Sequence, residues 1–455
     1  MNRDIDILFL IDDSPSMADK QRNIGQNFPN FINVLNTIQG GLPNVHIGVT
    51  TSDGGSQGAD DSGPGPNVGS PGTQGGCFGK GKGGVLQTYA SAGGVMTTGG
   101  AFLSDVSAAS GSGRTQNFTG DLATAFQQVA TAAGVAGCGF EQHLEMAKQA
   151  LNPMNSTTSA ANAGFLRDDA FLAVIILGDE DDCSMAHTGD FLTDNASIDG
   201  QLGPLESFRC TRFGVTCDQG GTTPDEMNQI GAKGQCHSNE DKTYLTDVQR
   251  YVDFFHSVKT DPNSVIVADI GGPSTPVATE TRTINGQAQP ALAHSCNYTD
   301  PMGGLEVADP TVRVSQFINA FPNRSTFQTI CTDDLSDGLT LIAQLLKSVV
   351  GSPCIDGVLA DVDPNTPGPQ YDCSVSDVTD PGKADQTESI IPECDNQTSP
   401  DSSSSFPCWA IQMNAECTTG TGLALYIARN GVNPPMEDHV IANCVTTGGG
   451  GSGSD

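Results

Sequence analysis

Basic residues are scarce in this sequence. It has 20 Lys and Arg against 53 Asp and Glu, a net charge of −33. A surface that negative repels nucleic acid and anionic membranes, so neither is expected as a partner. It raises the local concentration of cations and keeps a secreted protein soluble. Long apolar runs are missing too. None approaches the roughly 20 residues needed to cross a bilayer as a helix, and no transmembrane segment is expected. The 14 cysteines contain no C-x-x-C and the 7 histidines no H-E-x-x-H, which argues against zinc or iron–sulfur ligation. Two glycine-rich stretches fail on inspection. Gly54-Gly55-Ser56-Gln57-Gly58 has no helix after it, as a nucleophile elbow requires. Gly79 to Gly84 has no Ser or Thr after its lysines, as a P-loop requires.

An even number of scattered cysteines in a chain rich in Gly and Pro reads as up to seven disulfides and an oxidising compartment. The expected location is therefore secreted or on the outer cell surface. No signal peptide precedes Met1, so the sequence reads as a mature or trimmed form, compatible with a lipid anchor in a precursor. At 455 residues it can bury one large core, or one core plus a smaller domain. The tail Gly448–Asp455 reads as a flexible Gly/Ser linker outside the fold.

The stretch that organises the chain is Asp4 to Met17. Ile7 to Ile11 is apolar on both alternating faces, as in a strand buried within a parallel sheet. Helical spacing follows in Ile24, Phe28, Phe31, Ile32, Leu35 and Ile38, with Pro29 expected to kink or split the helix. Val45 to Thr51 alternates like a second strand, and a weak strand is expected somewhere between Val85 and Leu103. Helices are expected from Asp121 to about Thr131 and from Phe140 to Leu151. The run Phe171 to Leu177 reads as a central strand. A helix through Tyr244, Val248, Tyr251, Phe255 and Val258 precedes a strand at Ser264–Ile270. A helix at Val312–Phe321, a short strand at Thr326–Cys331 and a helix at Leu335–Val350 complete this part. The alternation predicts an α/β fold, a doubly wound, mostly parallel sheet over residues 4–350. Three turn-rich excursions interrupt it, at 52–84, 183–240 and 271–309, pinned by cysteines. Residues 354–446 change character. Six cysteines and short alternating runs there predict a small antiparallel β module, with Trp409 packed inside it.

At the end of the first strand, Asp12, Ser14 and Ser16 spell D-x-S-x-S on a turn entering a helix. Open α/β sheets bind ligands at the carboxyl ends of their strands. One charged and two neutral oxygens suit a hard divalent cation. The plainer alternative is that Ser14 or Ser16 simply caps the helix. A second strand end, after Leu177, also finishes in acids: Asp179, Glu180, Asp181 and Asp182. Here the chain resembles the von Willebrand factor A (VWA) family. Asp12, Ser14 and Ser16 match the start of its metal-ion-dependent adhesion site, and Asp179 stands where such domains carry their later aspartate. The resemblance implies a metal site with one open coordination position, filled by an Asp or Glu carboxylate of a protein partner. It implies Mg²⁺, with Ca²⁺ or Mn²⁺ able to substitute. The family's threonine on a third loop has no counterpart in Ala133–Glu141. Glu141 is the candidate replacement, with Thr119 and Thr131 behind it.

Three functions stay open at this point. The first is an adhesive, metal-dependent binding protein, since the cysteine-rich layout resembles exported bacterial VWA surface proteins and lipoprotein adhesins. The second is a structural subunit of a surface assembly whose metal only stabilises the fold; an oligomer fits either. A hydrolase with Glu180, Asp181 or Asp182 as base is the third. No catalytic set is visible, and no enzymatic activity is expected. His143 is read as a surface or core residue, and Asp361-Val362-Asp363-Pro364-Asn365 as a turn.

Overall fold

A computed structural model describes residues 3–38, 41–69, 75–88, 101–108, 113–189, 191–193, 200–284, 286–350, 355, 357–366, 368–379, 386–414, 417, 421–430 and 438–447. A seven-stranded sheet lies at its centre. Its strands are β1 (Asp4–Ile11), β2 (Asn44–Thr51), β3 (Leu103–Ser107), β4 (Arg114–Gln116), β5 (Phe171–Leu177), β6 (Val265–Gly271) and β7 (Ser325–Thr329). Their order across the sheet is β7-β6-β5-β1-β2-β3-β4. The five strands from β7 to β2 run parallel, and β3 and β4 are antiparallel at one edge.

Helices cover both faces, and the two-residue alternation of β1 assigns them. Ile5, Ile7, Phe9 and Ile11 point into a core shared with α1 (Ala18–Leu35), α2 (Leu122–Ala132) and α6 (Ser336–Val350). Leu8 and Leu10 point the other way, toward α3 (His143–Leu151), α4 (Gln249–Ser257) and α5 (Val312–Asn319). A strand covered on both sides must be apolar at every position, which is what Ile7 to Ile11 displayed. Phe9 sits among Phe28, Phe31 and Phe126, its ring centroid 4.6 Å from that of Phe126. Full burial of side chains of this kind stabilises by about 1.5–3 kcal/mol each.

Several expectations are corrected here. Helix α1 continues past Pro29 from Ala18 to Leu35 without splitting. Packing of Phe28 and Phe31 on Phe9 outweighs the hydrogen bond that proline removes. The strand Leu103–Ser107 begins only at the last residue of the interval expected to hold a weak strand and runs beyond it. Residues 89–100 and the tail from Gly448 lie outside the described residues.

The excursions are built structures. Cys77 bonds to Cys138, tying residues 52–84 to the loop before α3. The second and third excursions share one four-stranded antiparallel sheet, made from Val215–Gln219, Gly231–Ser238, Val277–Ile284 and Gln287–Leu292. Cys183–Cys210 ties the loop after β5 to the helical turn that leads into this sheet, and Cys217–Cys236 joins two of its paired strands. A hairpin, Cys296–Thr299 with Leu305–Ala308, follows and is fastened by Cys296–Cys331 to the chain just after β7.

Toward the C-terminus, Cys373–Thr379 pairs antiparallel with Thr387–Ile391 and Asp438–Cys444, and Cys408–Met413 with Leu423–Ala428. Cys373–Cys444 and Cys394–Cys408 staple this part, and Cys417 is disulfide-bonded as well. Trp409 is buried here with Leu359, Val375, Ile391, Ile411, Leu425 and Ile427, as expected. No described helix is long and apolar enough to cross a membrane.

Candidate metal centre

The chain leaves β1 toward β2 on one side, and β5 flanks β1 on the other. Loops after β1 and β5 therefore diverge in opposite directions and leave a crevice at their carboxyl ends. Asp12 and Asp179 lie in these two loops. The Asp12 amide still donates to the Leu177 carbonyl at 2.8 Å, which fixes the two strand ends side by side.

The oxygens form one continuous chain across the crevice. Asp12 Oδ2 is 3.1 Å from Ser14 Oγ, Ser14 Oγ is 3.0 Å from Ser16 Oγ, and Ser16 Oγ is 3.0 Å from Asp179 Oδ1. The Ser14 amide donates to Asp12 Oδ1 at 2.8 Å, and Ser52 Oγ adds a further donor at 3.0 Å. Neither hydroxyl caps α1: Ser14 makes no capping bond at the turn Pro15–Met17 that leads into the helix. Both turn inward instead.

Counting protons tests whether this set fits a cation. Three oxygen–oxygen contacts need three protons, and two hydroxyls carry two. With both carboxylates ionised, Ser14 donates to Asp12 and Ser16 to Asp179, so the two hydroxyl lone pairs face each other. A cation between them relieves that contact; without one, a proton on Asp12 completes the chain. Asp12 is fully buried, and burial together with the neighbouring Asp179 charge pushes its carboxyl up to about 8. The donor set therefore fits a hard cation through hydroxyls and few carboxylates. Among the described residues, no three His, Cys, Asp or Glu side chains converge as a ready-made ligand group.

Glu141 comes from the loop just before α3 and is buried. It hydrogen-bonds the partly exposed Glu180, and Asp12 lies close enough to act on both. Burial, reinforced by neighbouring carboxylates, raises Glu141 and Glu180 well above the ordinary range. Such a pair shares a proton unless a cation offsets it. Thr119 and Thr131 are exposed, and Thr131 bonds back to the Gln127 carbonyl within α2. They stand outside the crevice. Asp181 accepts from the Arg313 and Val314 amides at the start of α5, and Asp182 from the buried Arg313 guanidinium. These two acids anchor a helix.

No protein-family model and no curated protein sequence matches this chain. Its reading rests on its own geometry.

Four participants escaped the sequence reading. Ser52 follows β2 and bridges Asp12 to Asp13, at 3.0 and 3.3 Å. Its position directly after a parallel strand was the available signal. Lys82 bonds Asp13 Oδ2 at 2.5 Å and tethers the first excursion to the crevice. Asp309 donates its amide to the Asp179 carbonyl at 2.8 Å, and its carboxyl pairs with His294 at 2.6 Å. Lys20 is the fourth. Its ammonium lies 3.0 Å from Asp179 Oδ2, 2.7 Å from Glu306 Oε2 and 3.1 Å from the Ser16 carbonyl. Burial alone would lower Lys20, but Asp179 and Glu306 raise it. The turn from α1 brings it there, one helical turn beyond Ser16.

Beneath the crevice, His143 is wholly buried, a core residue as expected, and neither ring nitrogen has a described hydrogen-bond partner. Burial lowers it and keeps it neutral. A Cβ at Gly178 would come within 2.5 Å of His143 Nε2, so only glycine lets the end of β5 close onto α3.

Proposed function

We propose that this chain is an exported, metal-ion-dependent binding protein of VWA type, acting at a cell surface or outside it. The observation that carries the reading is the oxygen chain Asp12–Ser14–Ser16–Asp179, which spans the switch point of a doubly wound sheet with hydroxyls turned inward. The parallel strands flanking β1, with the antiparallel edge strand beyond β2, support the same fold type. Six described disulfides suit an oxidising compartment, and a lipid anchor on a precursor is compatible with this reading.

Asp12, Ser14, Ser16 and Asp179 would hold the cation, with Glu141 reaching it through Glu180 or water. Mg²⁺ suits a site of few carboxylates and several hydroxyls, and Ca²⁺ or Mn²⁺ can substitute. When bound, the cation supplies Lewis acidity toward an Asp or Glu carboxylate of a protein partner. The chain's own residues do the rest. Ser14 and Ser16 direct their lone pairs inward by donating to Asp12 and Asp179. Ser52 and the Ser14 amide hold Asp12 in one orientation. The wall carrying Lys82 and the hairpin carrying Glu306 frame the opening.

A second reading is favoured by the burial of Asp12 and Asp179: a cation that only buttresses the strand ends of a surface subunit. Selection of a random peptide display library in Mg²⁺, with elution by chelator, separates the two. Adhesion requires enrichment of Asp- or Glu-bearing peptides that is lost in Asp12→Ala. Mn²⁺ binding to wild type but not to Asp12→Ala, without such enrichment, supports the buttress. Absence of Mn²⁺ binding to wild type overturns both.

A further inference from the structure

Lys20 is the described ammonium that contacts Asp179, and two features set it apart from an ordinary surface ion pair. Its side chain is 1% exposed, and it touches a proposed metal ligand directly, Asp179 Oδ2 at 3.0 Å. Its other carboxylate, Glu306, belongs to the disulfide-fastened hairpin Cys296–Ala308 and is 23% exposed. Across that hairpin Glu306 pairs with Tyr298, whose hydroxyl donates to Asp19 at 2.8 Å. The first turn of α1 thus grips the hairpin through two neighbouring residues, Asp19 and Lys20, and the grip on Lys20 is shared with the crevice.

We propose that Lys20 is a resident cation of the site: it bridges Asp179 and Glu306 when no divalent ion is bound, and a divalent ion must displace it from Asp179, leaving it on Glu306 alone, to gain full use of Asp179. The inference rests on the metal-binding reading above. A doubly charged ion held by Ser16 and Asp179 would sit close to the ammonium, and the two like charges would repel. The lysine stem is flexible, and Glu306, already bonded at 2.7 Å and nearer the solvent edge, retains the ammonium once the Asp179 contact is broken. Ion binding and hairpin docking are therefore coupled. Lys20 sets a low affinity for the ion in the resting protein, and loading the ion tightens the Lys20–Glu306 pair.

The two partners of this switch predict opposite effects. Lys20→Met removes the competitor, so Mn²⁺, titrated by electron paramagnetic resonance of the free ion, binds about tenfold more tightly or better. Glu306→Gln removes the carboxylate that shares the ammonium, so Lys20 rests wholly on Asp179 and Mn²⁺ binds several-fold more weakly. Hydrogen exchange at the amides of residues 296–308 supplies a second readout. It slows on Mn²⁺ addition in wild type and does not respond in Glu306→Gln. Unchanged or weakened binding in a folded Lys20→Met overturns the proposal, as does a shift of both variants in the same direction, which a merely structural pair would give. Should Lys20→Met not fold, Glu306→Gln decides by itself. Binding by wild type with no effect of either variant sinks this inference alone. No binding by any of the three sinks the metal reading with it.

Discussion

At the scale of single residues, the chemistry turns on one proton at Asp12. Its ordinary value of 3.8 rises to about 8 in the folded protein. Between those values the folded state keeps a proton that the unfolded state has released. Stability from this group therefore falls as pH rises through the window, by about 1.4 kcal/mol per unit, and does not change below it. Asp12→Asn supplies the missing hydrogen from its amide at every pH. In chelator, the variant and the wild type should be similarly stable near pH 4, and the variant should be the more stable by several kcal/mol near pH 8. Adding Mg²⁺ at pH 8 should restore the wild type and leave the variant unmoved. Urea midpoints across the pH series check this, and parallel profiles would refute it. Glu141, Glu180 and Asp309 are raised in the same direction, so wild type alone would not isolate Asp12; the difference between the two proteins does.

Among the elements, α5 depends on charges that the sequence offered as catalytic candidates. Arg313 and Asp182 meet at 3.0 Å with 1% and 0% exposure, and Asp181 caps the helix amides. Removing one partner of such a pair strands the other in the interior. Arg313→Met should cost about 3–5 kcal/mol, and adding Asp182→Asn should return part of that loss; chemical denaturation of the single and double variants measures both. Losses of the two single variants that simply add in the double variant would show the pair to be uncoupled. The acidic run after β5 could be read from sequence as a strand end, but not as a division of labour, because Arg313 is more than a hundred residues away from it. The same distinction separates what was legible from what was not. The strands Ile7–Ile11 and Phe171–Leu177 announced themselves because a covered parallel strand leaves no polar positions. Asp12, Ser14, Ser16 and Asp179 followed, since strand ends locate the crevice. Lys20 and Glu306 did not follow, because each enters through a contact between segments that no local pattern encodes, whereas Ser52 had the signal of a strand end and was passed over. The joint sheet of the second and third excursions was hidden for the same reason. Its strands Val215–Gln219 and Gln287–Leu292 are short, half exposed and far apart in sequence.

Over the whole molecule, stability is unevenly distributed. The central sheet buries two large cores, one on each face; three described disulfides tie the excursions to its loops, and Cys217–Cys236 staples two strands within one of them. The C-terminal module has a far smaller core, centred on Trp409, Val375, Ile391 and Leu425, and its strands are stapled directly by Cys373–Cys444 and Cys394–Cys408. A core of that size contributes only a few kcal/mol beyond chain entropy, so its disulfides must supply much of its stability. Each typically adds about 2–5 kcal/mol in a small module. Trp409 is the only tryptophan in the chain, which makes its fluorescence a private reporter of this module. Helix content, in contrast, reports the α/β part, since the described helices of eight or more residues all lie between Ala18 and Val350. Under reducing conditions the red shift of Trp409 should therefore occur at clearly lower urea than the loss of circular dichroism at 222 nm. Under oxidising conditions the two midpoints should move closer together. Coincident transitions after full reduction would mean that the module borrows its stability from the central sheet, and the chain would then unfold as one cooperative body.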